Sequence, residues 1–267
     1  MTKVACFTVA ALDYFPQKND YFAGGNSLNQ AIRMKQLGLD TSFVGVLGTD
    51  ENGDRLEELL RLSDVNLSHM HRIEGKTATN RIFNDELGER FGVDDAWDGG
   101  VYEAFRLGEE DWKYMTDFDI WATHANNPNF REALKRKPRH VFMGVDFLHF
   151  KEYGLLEDCL DIINMAYFGG TADMADDLAR LAIGRKGIVV LTLGAEGSRA
   201  FVDDRVYRQT AFSVEKVVDT TGCGDAFQAA FTFEYYKSRN VSAALLAGAE
   251  LGRIATQSHG GVPWITQ

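Results

Sequence analysis

Short apolar runs alternate along the chain with segments whose apolar positions recur three and four residues apart. The apolar runs have the length of β-strands and are bounded by glycine or polar residues, at 3–10, 41–48, 119–123, 140–147, 164–170 and 187–194. The intervening segments have the periodicity of amphipathic helices, at 27–37, 52–62, 172–183 and 226–236. This alternation predicts an α/β fold with a mostly parallel central sheet covered by helices on both faces.

Two stretches interrupt this alternation, at about 13–23 and 70–100. The second contains TATNRIF and ERFGV, in which apolar and polar residues alternate as they do in antiparallel strands. Because ligands of open α/β folds bind at the carboxyl ends of the strands, we expect the two stretches to form a small β-sheet lid over that crevice. Residues 1–267 are therefore predicted to form a single domain that carries this lid.

The composition of the chain argues against nucleic acids and membranes as partners. Hydrophobic residues make up 45% and charged residues 25% of the 267 residues, as in folded soluble proteins. The formal net charge of −11 makes nucleic acid a poor partner, because binding to a phosphate backbone needs a broad basic surface. No apolar stretch approaches the roughly 20 residues that cross a bilayer, so no membrane partner is expected.

The positions of cysteine and histidine indicate neither disulfides nor a zinc site. Cys6, Cys159 and Cys223 are odd in number and lack the close spacing of either framework, which favours a cytoplasmic, reducing location. His69 and His71 share one face if their segment is a strand, but a zinc site requires at least three protein ligands. We therefore expect both histidines to be structural or to face solvent.

The string DTTGCGDAFQAAF, at 219–231, places a glycine-bearing loop directly before a predicted helix. The N–H groups of Gly222, Cys223 and Gly224 are expected to be unpaired at the helix start and to bind phosphoryl oxygens. Asp225 is then positioned to accept the proton of an attacking hydroxyl, as the catalytic base of a kinase does. Taken alone, so short a motif more often marks a tight turn whose acid complements the helix dipole.

A second glycine-bearing string, AGGNSLNQA, leads into the first predicted helix. Gly24 and Gly25 allow close backbone contact with a ligand, and the amides of Asn26 and Asn29 can hydrogen-bond to sugar hydroxyls. Capping of the helix by Asn26 is the alternative interpretation.

These two strings resemble the signatures of the ribokinase-like, PfkB-type carbohydrate kinases, and the resemblance extends over essentially the whole chain. The C-terminal signature of that family reads D-T-x-G-A-G-D, from which only Cys223 departs. The resemblance implies a ribokinase-like fold and transfer of a phosphoryl group from ATP, with Mg²⁺, to a hydroxyl of a small sugar. It also implies that Asp225 is the catalytic base and that residues 222–224 stabilise the phosphoryl group.

The same resemblance implies further site residues. Asp13 follows the first strand where the family keeps an acid that binds sugar hydroxyls, although Thr8 replaces the family's usual glycine in that strand. The string VLTLGAEGSRAF is similar to the family's nucleotide segment, which implies that ATP lies beside Thr192, Gly194, Gly197 and, from the adenine-side helix, Ala249. A β-hairpin turn is the alternative interpretation of that string.

The family resemblance also implies metal ligands, but the motif that carries them is incomplete in this sequence. The family's N-x-x-E magnesium motif falls at 170–173, where the asparagine is missing; Asp173 could hold a metal-bound water or cap the following helix. The resemblance also allows a monovalent cation, K⁺, near Asp219 and Thr221.

The predicted lid contains more acidic than basic residues, and this excess indicates which charge the substrate can carry. Arg90 is the single base between residues 85 and 98, against six acids, Asp85, Glu86, Glu89, Asp94, Asp95 and Asp98. Such a rim is expected to repel a phosphorylated sugar and to attract an amine.

Four strings, GGNSLN, SHMH, the RFG of the lid and the terminal QSHGGVPW, resemble the fructoselysine 6-kinase branch of the family. They imply phosphorylation of the 6-hydroxyl of fructoselysine or a related fructosamine. Ribokinase, fructokinase and nucleoside kinase activities are alternatives, and a non-catalytic sugar or nucleotide sensor is an alternative of another class. A homodimer formed through the lid is also expected.

Overall fold

The computed structural model describes residues 1–86 and 90–264, and for residues 90–94 it describes the backbone only. These residues contain a central sheet of nine strands and a smaller sheet of four. In chain order the strands are β1 (Lys3–Thr8), β2 (Ala11–Phe15), β3 (Asp20–Gly24), β4 (Asp40–Gly48), β5 (Met70–Ile73), β6 (Thr79–Asn84), β7 (Arg90–Asp98), β8 (Ile120–His124), β9 (Phe142–Asp146), β10 (Met165–Gly169), β11 (Ile188–Thr192), β12 (Ser198–Val202) and β13 (Arg205–Gln209).

The central sheet has the order β13-β12-β11-β10-β9-β8-β1-β4-β5. Every pair from β11 to β5 is parallel, whereas β12 pairs in antiparallel register with both β11 and β13. All six apolar runs of the sequence form strands of this sheet, so the predicted mostly parallel sheet is confirmed.

Both faces of the central sheet are covered. In β1, Ala5 and Phe7 pack into one cluster of buried apolar residues, while Val4 and Cys6 pack into another. Alternate residues of a strand point to opposite faces, so an uninterrupted apolar run is what a sheet buried on both sides requires.

Eight α-helices are present among the described residues: α1 (Asn26–Gln36), α2 (Glu51–Leu62), α3 (Glu109–Met115), α4 (Phe130–Arg136), α5 (Gly154–Cys159), α6 (Ala175–Ala182), α7 (Cys223–Ser238) and α8 (Val241–Ala255). The four predicted helices correspond to α1, α2, α6 and α7. The periodicity did not reveal α3, α4 and α5 because they have only six or seven residues. Among the helices within the described ranges, none combines the length and apolar character that a bilayer crossing requires.

The smaller sheet is the predicted lid, with the strand order β3-β2-β6-β7. Its two hairpin pairs are antiparallel, and the central pair of β2 with β6 is parallel. The lid strands therefore span 11–24 and 79–98, whereas β5, which falls in the predicted 70–100 stretch, pairs in parallel with β4 of the central sheet. A four-residue strand does not reveal from its own sequence which sheet it joins. Of the charged residues named in the lid, Glu89 lies outside the described residues, as do the side chains of Asp94 and of the single base, Arg90.

His69 and His71 connect β5 to the start of α3. The Asp111 carboxylate lies 2.9 Å from His69 Nδ1 and 3.0 Å from His71 Nε2. The His69 ring also stacks on Tyr114, with ring centroids 3.9 Å apart. These contacts are those of structural histidines, as the sequence predicted.

Candidate active site

A cavity of about 370 Å³ lies where the lid, the carboxyl ends of the central strands and the start of α7 meet. This is the position expected for the ligand site of an open α/β fold. Seven of the predicted catalytic and sugar-site residues line it: Asp13, Gly25, Asn26, Asn29, Gly222, Gly224 and Asp225. Seven further polar or aromatic residues that the sequence did not single out also line it: Asn80, Trp97, Tyr102, His124, Asn126, Asp146 and Thr220.

Asp225 is held by two amide side chains from the opposite end of the chain. It occupies the first turn of α7, and its Oδ1 accepts a 2.7 Å hydrogen bond from Asn26 Nδ2. Its Oδ2 accepts a 2.7 Å hydrogen bond from Asn29 Nδ2. The two glycine-bearing strings, about 200 residues apart in sequence, therefore contact each other and form one candidate site. Asn26 does not cap α1, because the residue that caps it is Gly25.

The Asn26 amide also contacts a second carboxylate. Its Nδ2 donates a 3.0 Å hydrogen bond to Asp146 Oδ2, so one NH₂ group bridges Asp146 and Asp225. Burial raises the pKa of Asp146, and hydrogen bonds from Gln228 and the Leu148 N–H oppose that rise. Asp146 is the last residue of β9, as His124 is of β8. A polar residue at the end of an apolar run was the signal that could have identified both.

The start of α7 is a tight turn as well as a possible anion site. Gly222 caps the helix in the left-handed conformation, with φ at 73°, and a Cβ there would lie 2.7 Å from the Gly261 carbonyl oxygen. In this turn the Cys223 N–H donates a 3.2 Å hydrogen bond to the Thr220 carbonyl. The prediction of three unpaired N–H groups is therefore wrong for Cys223. At Gly224 an added Cβ would meet only Gln228, at 4.0 Å, so this glycine borders open space.

Asp219 is completely buried and connects the loop before α7 with strand β6 and with the loop after α8. Its oxygens accept hydrogen bonds from the Thr221 N–H at 2.9 Å, the Thr221 hydroxyl at 2.7 Å, Asn84 Nδ2 at 2.9 Å and the Gly260 N–H at 2.8 Å. Three of these donors bond to Oδ1, and the Gly260 N–H bonds to Oδ2, so Asp219 ties the loop before α7 to β6 and to the loop after α8. The K⁺ site near Asp219 and Thr221 stays a prediction.

The predicted nucleotide residues are not among those that line this cavity. Thr192 ends β11, and its hydroxyl donates to the Phe168 carbonyl at 3.1 Å. Gly194 and Gly197 then turn the chain into β12, both with positive φ. The hairpin interpretation of this string is thus correct as a description of the local backbone. Ala249 is partly buried on α8.

Asp173 lies on the surface beyond β10. Its carboxylate pairs with Lys151 Nζ at 2.7 Å and accepts a hydrogen bond from the Thr171 hydroxyl. Thr171 is the N-cap of a short 3-10 turn at Ala172–Met174, so Asp173 lies within that turn and does not cap it. An exposed carboxylate of this kind retains the oxygen chemistry that a water-bound Mg²⁺ requires.

A model of the pfkB family of carbohydrate kinases matches residues 10–266, and the chain therefore belongs to this family. Family membership confirms the prediction of an ATP-dependent carbohydrate kinase. Kinases of the ribokinase family use ATP and Mg²⁺.

Two bacterial relatives are similar to almost the whole chain. Fructosamine kinase FrlD of Bacillus subtilis (strain 168) is 28% identical over 246 residues, which cover 90% of this chain and 85% of the relative. Fructoselysine 6-kinase of Escherichia coli (strain K12) is 28% identical over 261 residues, which cover 93% of this chain and 95% of the relative.

The fold is also that of a solved nucleoside kinase. The crystal structure of the Methanocaldococcus jannaschii enzyme, an archaeal member of the ribokinase family, matches with a TM-score of 0.77 and 20% identity. The match covers 98% of this chain and 93% of the other. It confirms the predicted ribokinase-like fold, which nucleoside kinases and sugar kinases share.

The close packing of Asp13 against β3 generates a testable prediction. A Cβ added to Gly24 would lie 2.6 Å from Asp13 Cγ, so Gly24→Ala is expected to displace the Asp13 carboxylate from the cavity wall. We expect the KM for the sugar to rise about tenfold, which corresponds to the loss of roughly 1.4 kcal/mol of binding. Steady-state kinetics with ATP held at saturation measure this change.

Gly154→Ala is the matched control, because nothing lies within 4 Å of a Cβ at that position in α5. Its KM and its melting temperature are expected to remain close to those of the unmodified protein. An unchanged KM in Gly24→Ala would remove Asp13 from the sugar site.

Proposed function

We propose that this kinase phosphorylates the 6-hydroxyl of fructoselysine or a related fructosamine, a sugar whose amine carries a positive charge. The observation that carries the proposal is the charge of the cavity. Three carboxylates line it, from Asp13, Asp146 and Asp225, and among the described residues no lysine or arginine does. Such a cavity disfavours a phosphorylated sugar and favours an ammonium group. The two relatives whose names refer to fructosamine and fructoselysine support the same choice.

Two further groups that line the cavity are uncharged at neutral pH and so add no positive charge to it. Burial lowers the pKa of His124 to about 4, so its imidazole is uncharged at neutral pH. Burial also raises the pKa of the Tyr102 phenol, which therefore stays protonated. Arg33 interacts electrostatically with Asp225 but does not line the cavity, and its Nη2 donates to the Gly261 carbonyl at 3.2 Å. If Asp146 is protonated, two carboxylates still face the substrate.

The proposed reaction is in-line phosphoryl transfer. Asp225, oriented by Asn26 and Asn29, accepts the proton of the attacking hydroxyl. The backbone N–H groups of Gly222 and Gly224 stabilise the phosphoryl oxygens at the positive end of α7. Asp13, Gly24 and Gly25 contact the sugar, and the lid excludes water that would otherwise hydrolyse ATP.

The nucleotide is proposed to lie on the other side of the α7 start. Thr192, Gly194, Gly197 and Ala249 would border the ATP there, close to the carboxyl ends of β10 and β11. Asp173 would hold Mg²⁺ through a water molecule, and the ion would neutralise charge on the transferring phosphate.

The substrate proposal predicts a definite order of preference. ADP release is measured with ATP and Mg²⁺ and a panel of fructoselysine, a second fructosamine, fructose, ribose, a nucleoside and fructose 6-phosphate. The two fructosamines are expected to have kcat/KM values at least about tenfold above that of fructose, because only they place a cation in the acidic cavity. Phosphorus NMR of the product is expected to place the phosphate on the 6-hydroxyl. A nucleoside or fructose at the top of the order would contradict the proposal.

The role of Asp225 predicts the effect of a single substitution. Asp225→Asn preserves the shape of the side chain but cannot accept the hydroxyl proton, so kcat is expected to fall about 10²- to 10⁴-fold. Stopped or coupled ADP assays measure the fall, and urea unfolding shows whether the fold is retained. Asp176→Asn, an exposed acid in the first turn of α6, is the control and is expected to keep full activity. Full activity in Asp225→Asn would remove the residue from the role of base.

We further propose a homodimer that forms through the lid. The strand β7 lies at the edge of the lid sheet, and an edge strand presents backbone groups that a second copy can pair with. Size-exclusion chromatography with light scattering is expected to give twice the mass of one chain. A single-chain mass at the protein concentration of the kinase assay would rule out this assembly as the active form.

A further inference from the structure

Three residues form a row across the lid on the face that covers the cavity. Asp13 of β2 is the register partner of Asn80 of β6, and Asn80 is the register partner of Trp97 of β7. Residues directly opposite each other on neighbouring strands have side chains on the same face of the sheet. All three line the cavity, so the lid presents a carboxylate, an amide and an indole in line.

The row runs from the interior of the cavity to its rim. Asp13 is 5% exposed, whereas Trp97 is 44% exposed and is among the most exposed large apolar side chains of the described residues. An apolar ring that borders a ligand cavity and remains open to solvent is a surface to which a ligand can bind. A substrate whose sugar contacts Asp13 would therefore extend its far end over Trp97.

The Trp97 ring rests against a fixed neighbour. Its centroid lies 6.0 Å from that of Tyr102, with the two planes at 89°. Tyr102 is only 5% exposed, and its hydroxyl lies 3.1 Å from His124 Nε2. Tyr102 thus limits the positions that the Trp97 indole can take. Of these two rings, Trp97 is the one that is exposed to solvent.

The chemistry of the indole and its surroundings favours a cation. The face of an aromatic ring, and that of tryptophan most strongly, attracts ammonium groups. In the described part of the chain the arginines that lie over aromatic rings are Arg55, Arg136 and Arg239, and none lies over Trp97. The neighbouring Asn80 is neutral, so no side chain of the row repels a positive charge.

We propose that Trp97 binds the positively charged amine of the substrate and the substituent that this amine carries, while Asp13 at the other end of the row holds the sugar. The inference rests on the proposed fructosamine kinase function and adds a residue that selects the amine. The reacting hydroxyl at Asp225 and the amine at Trp97 would then occupy opposite ends of the cavity. Trp97 acts on substrate affinity and takes no part in proton transfer.

The test compares an amine substrate with a neutral one. Trp97→Leu keeps an apolar side chain but removes the aromatic ring, so the KM for fructoselysine is expected to rise about tenfold. The kcat for fructoselysine and the KM for fructose are expected to change less than about twofold, because neither depends on the ring. Trp97→Phe retains an aromatic face and is expected to recover most of the affinity for fructoselysine. Phe212→Leu, an exposed ring that does not line the cavity, is the control.

Each alternative outcome contradicts a different statement. Equal losses for fructoselysine and fructose in Trp97→Leu, or no loss for either, would overturn the role of Trp97 and leave the fructosamine function intact. A change of mass by light scattering, without a change in KM, would make Trp97 an interface residue and overturn the inference. Failure of the unmodified protein to phosphorylate any fructosamine would overturn the proposed function, and the inference with it. If circular dichroism shows that Trp97→Leu does not fold, Trp97→Phe and Trp97→Tyr are used instead. A KM for fructoselysine that is unchanged in both variants supports an aromatic contact. A tenfold rise of that KM in both variants overturns the inference.

Discussion

Two amide side chains at the start of α1 hold the carboxylate at the start of α7, and the geometry of the candidate site depends on this contact. Asn26 and Asn29 donate to the two oxygens of Asp225, so the acid cannot rotate away from the cavity without losing both bonds. Hydrogen bonds to a charged group stabilise by about 1.5–3 kcal/mol each. Since Asn26 and Asn29 lie on α1 and Asp225 lies on α7, the packing of these two helices sets the position of the Asp225 carboxylate.

A second buried acid connects the lid to the same region. Asp219 accepts hydrogen bonds from Asn84 of the lid and from the Gly260 N–H of the loop after α8. It also accepts two from Thr221, in the loop that leads to the catalytic helix. One buried carboxylate therefore joins the lid strand β6 to the loop before α7 and to the loop after α8.

The distribution of charge differs between the two sides of the proposed site. The cavity is lined by carboxylates, amides and aromatic rings, whereas the proposed phosphate side depends on the backbone dipoles of a helix start. The proposed anion site is formed by backbone groups, so it does not require a basic surface on a protein with a net charge of −11. The proposed preference for a cationic sugar depends on the carboxylates of the cavity and on the aromatic ring at its rim.

The α/β alternation, the lid and the two glycine-bearing motifs could be predicted from the amino-acid sequence, because each depends on residues close together in the chain. Local periodicity and short signatures sufficed to single out Asp225, Asn26 and Asn29. They did not show that the Asn26 amide bridges Asp225 and Asp146, nor that β5 joins the central sheet, because those contacts join distant segments. They also missed Trp97 and Tyr102, which look like ordinary apolar residues until the lid register places Trp97 opposite Asn80. Which side chains share the cavity became known from the folded chain, since it depends on strand pairing and helix packing between residues far apart in sequence.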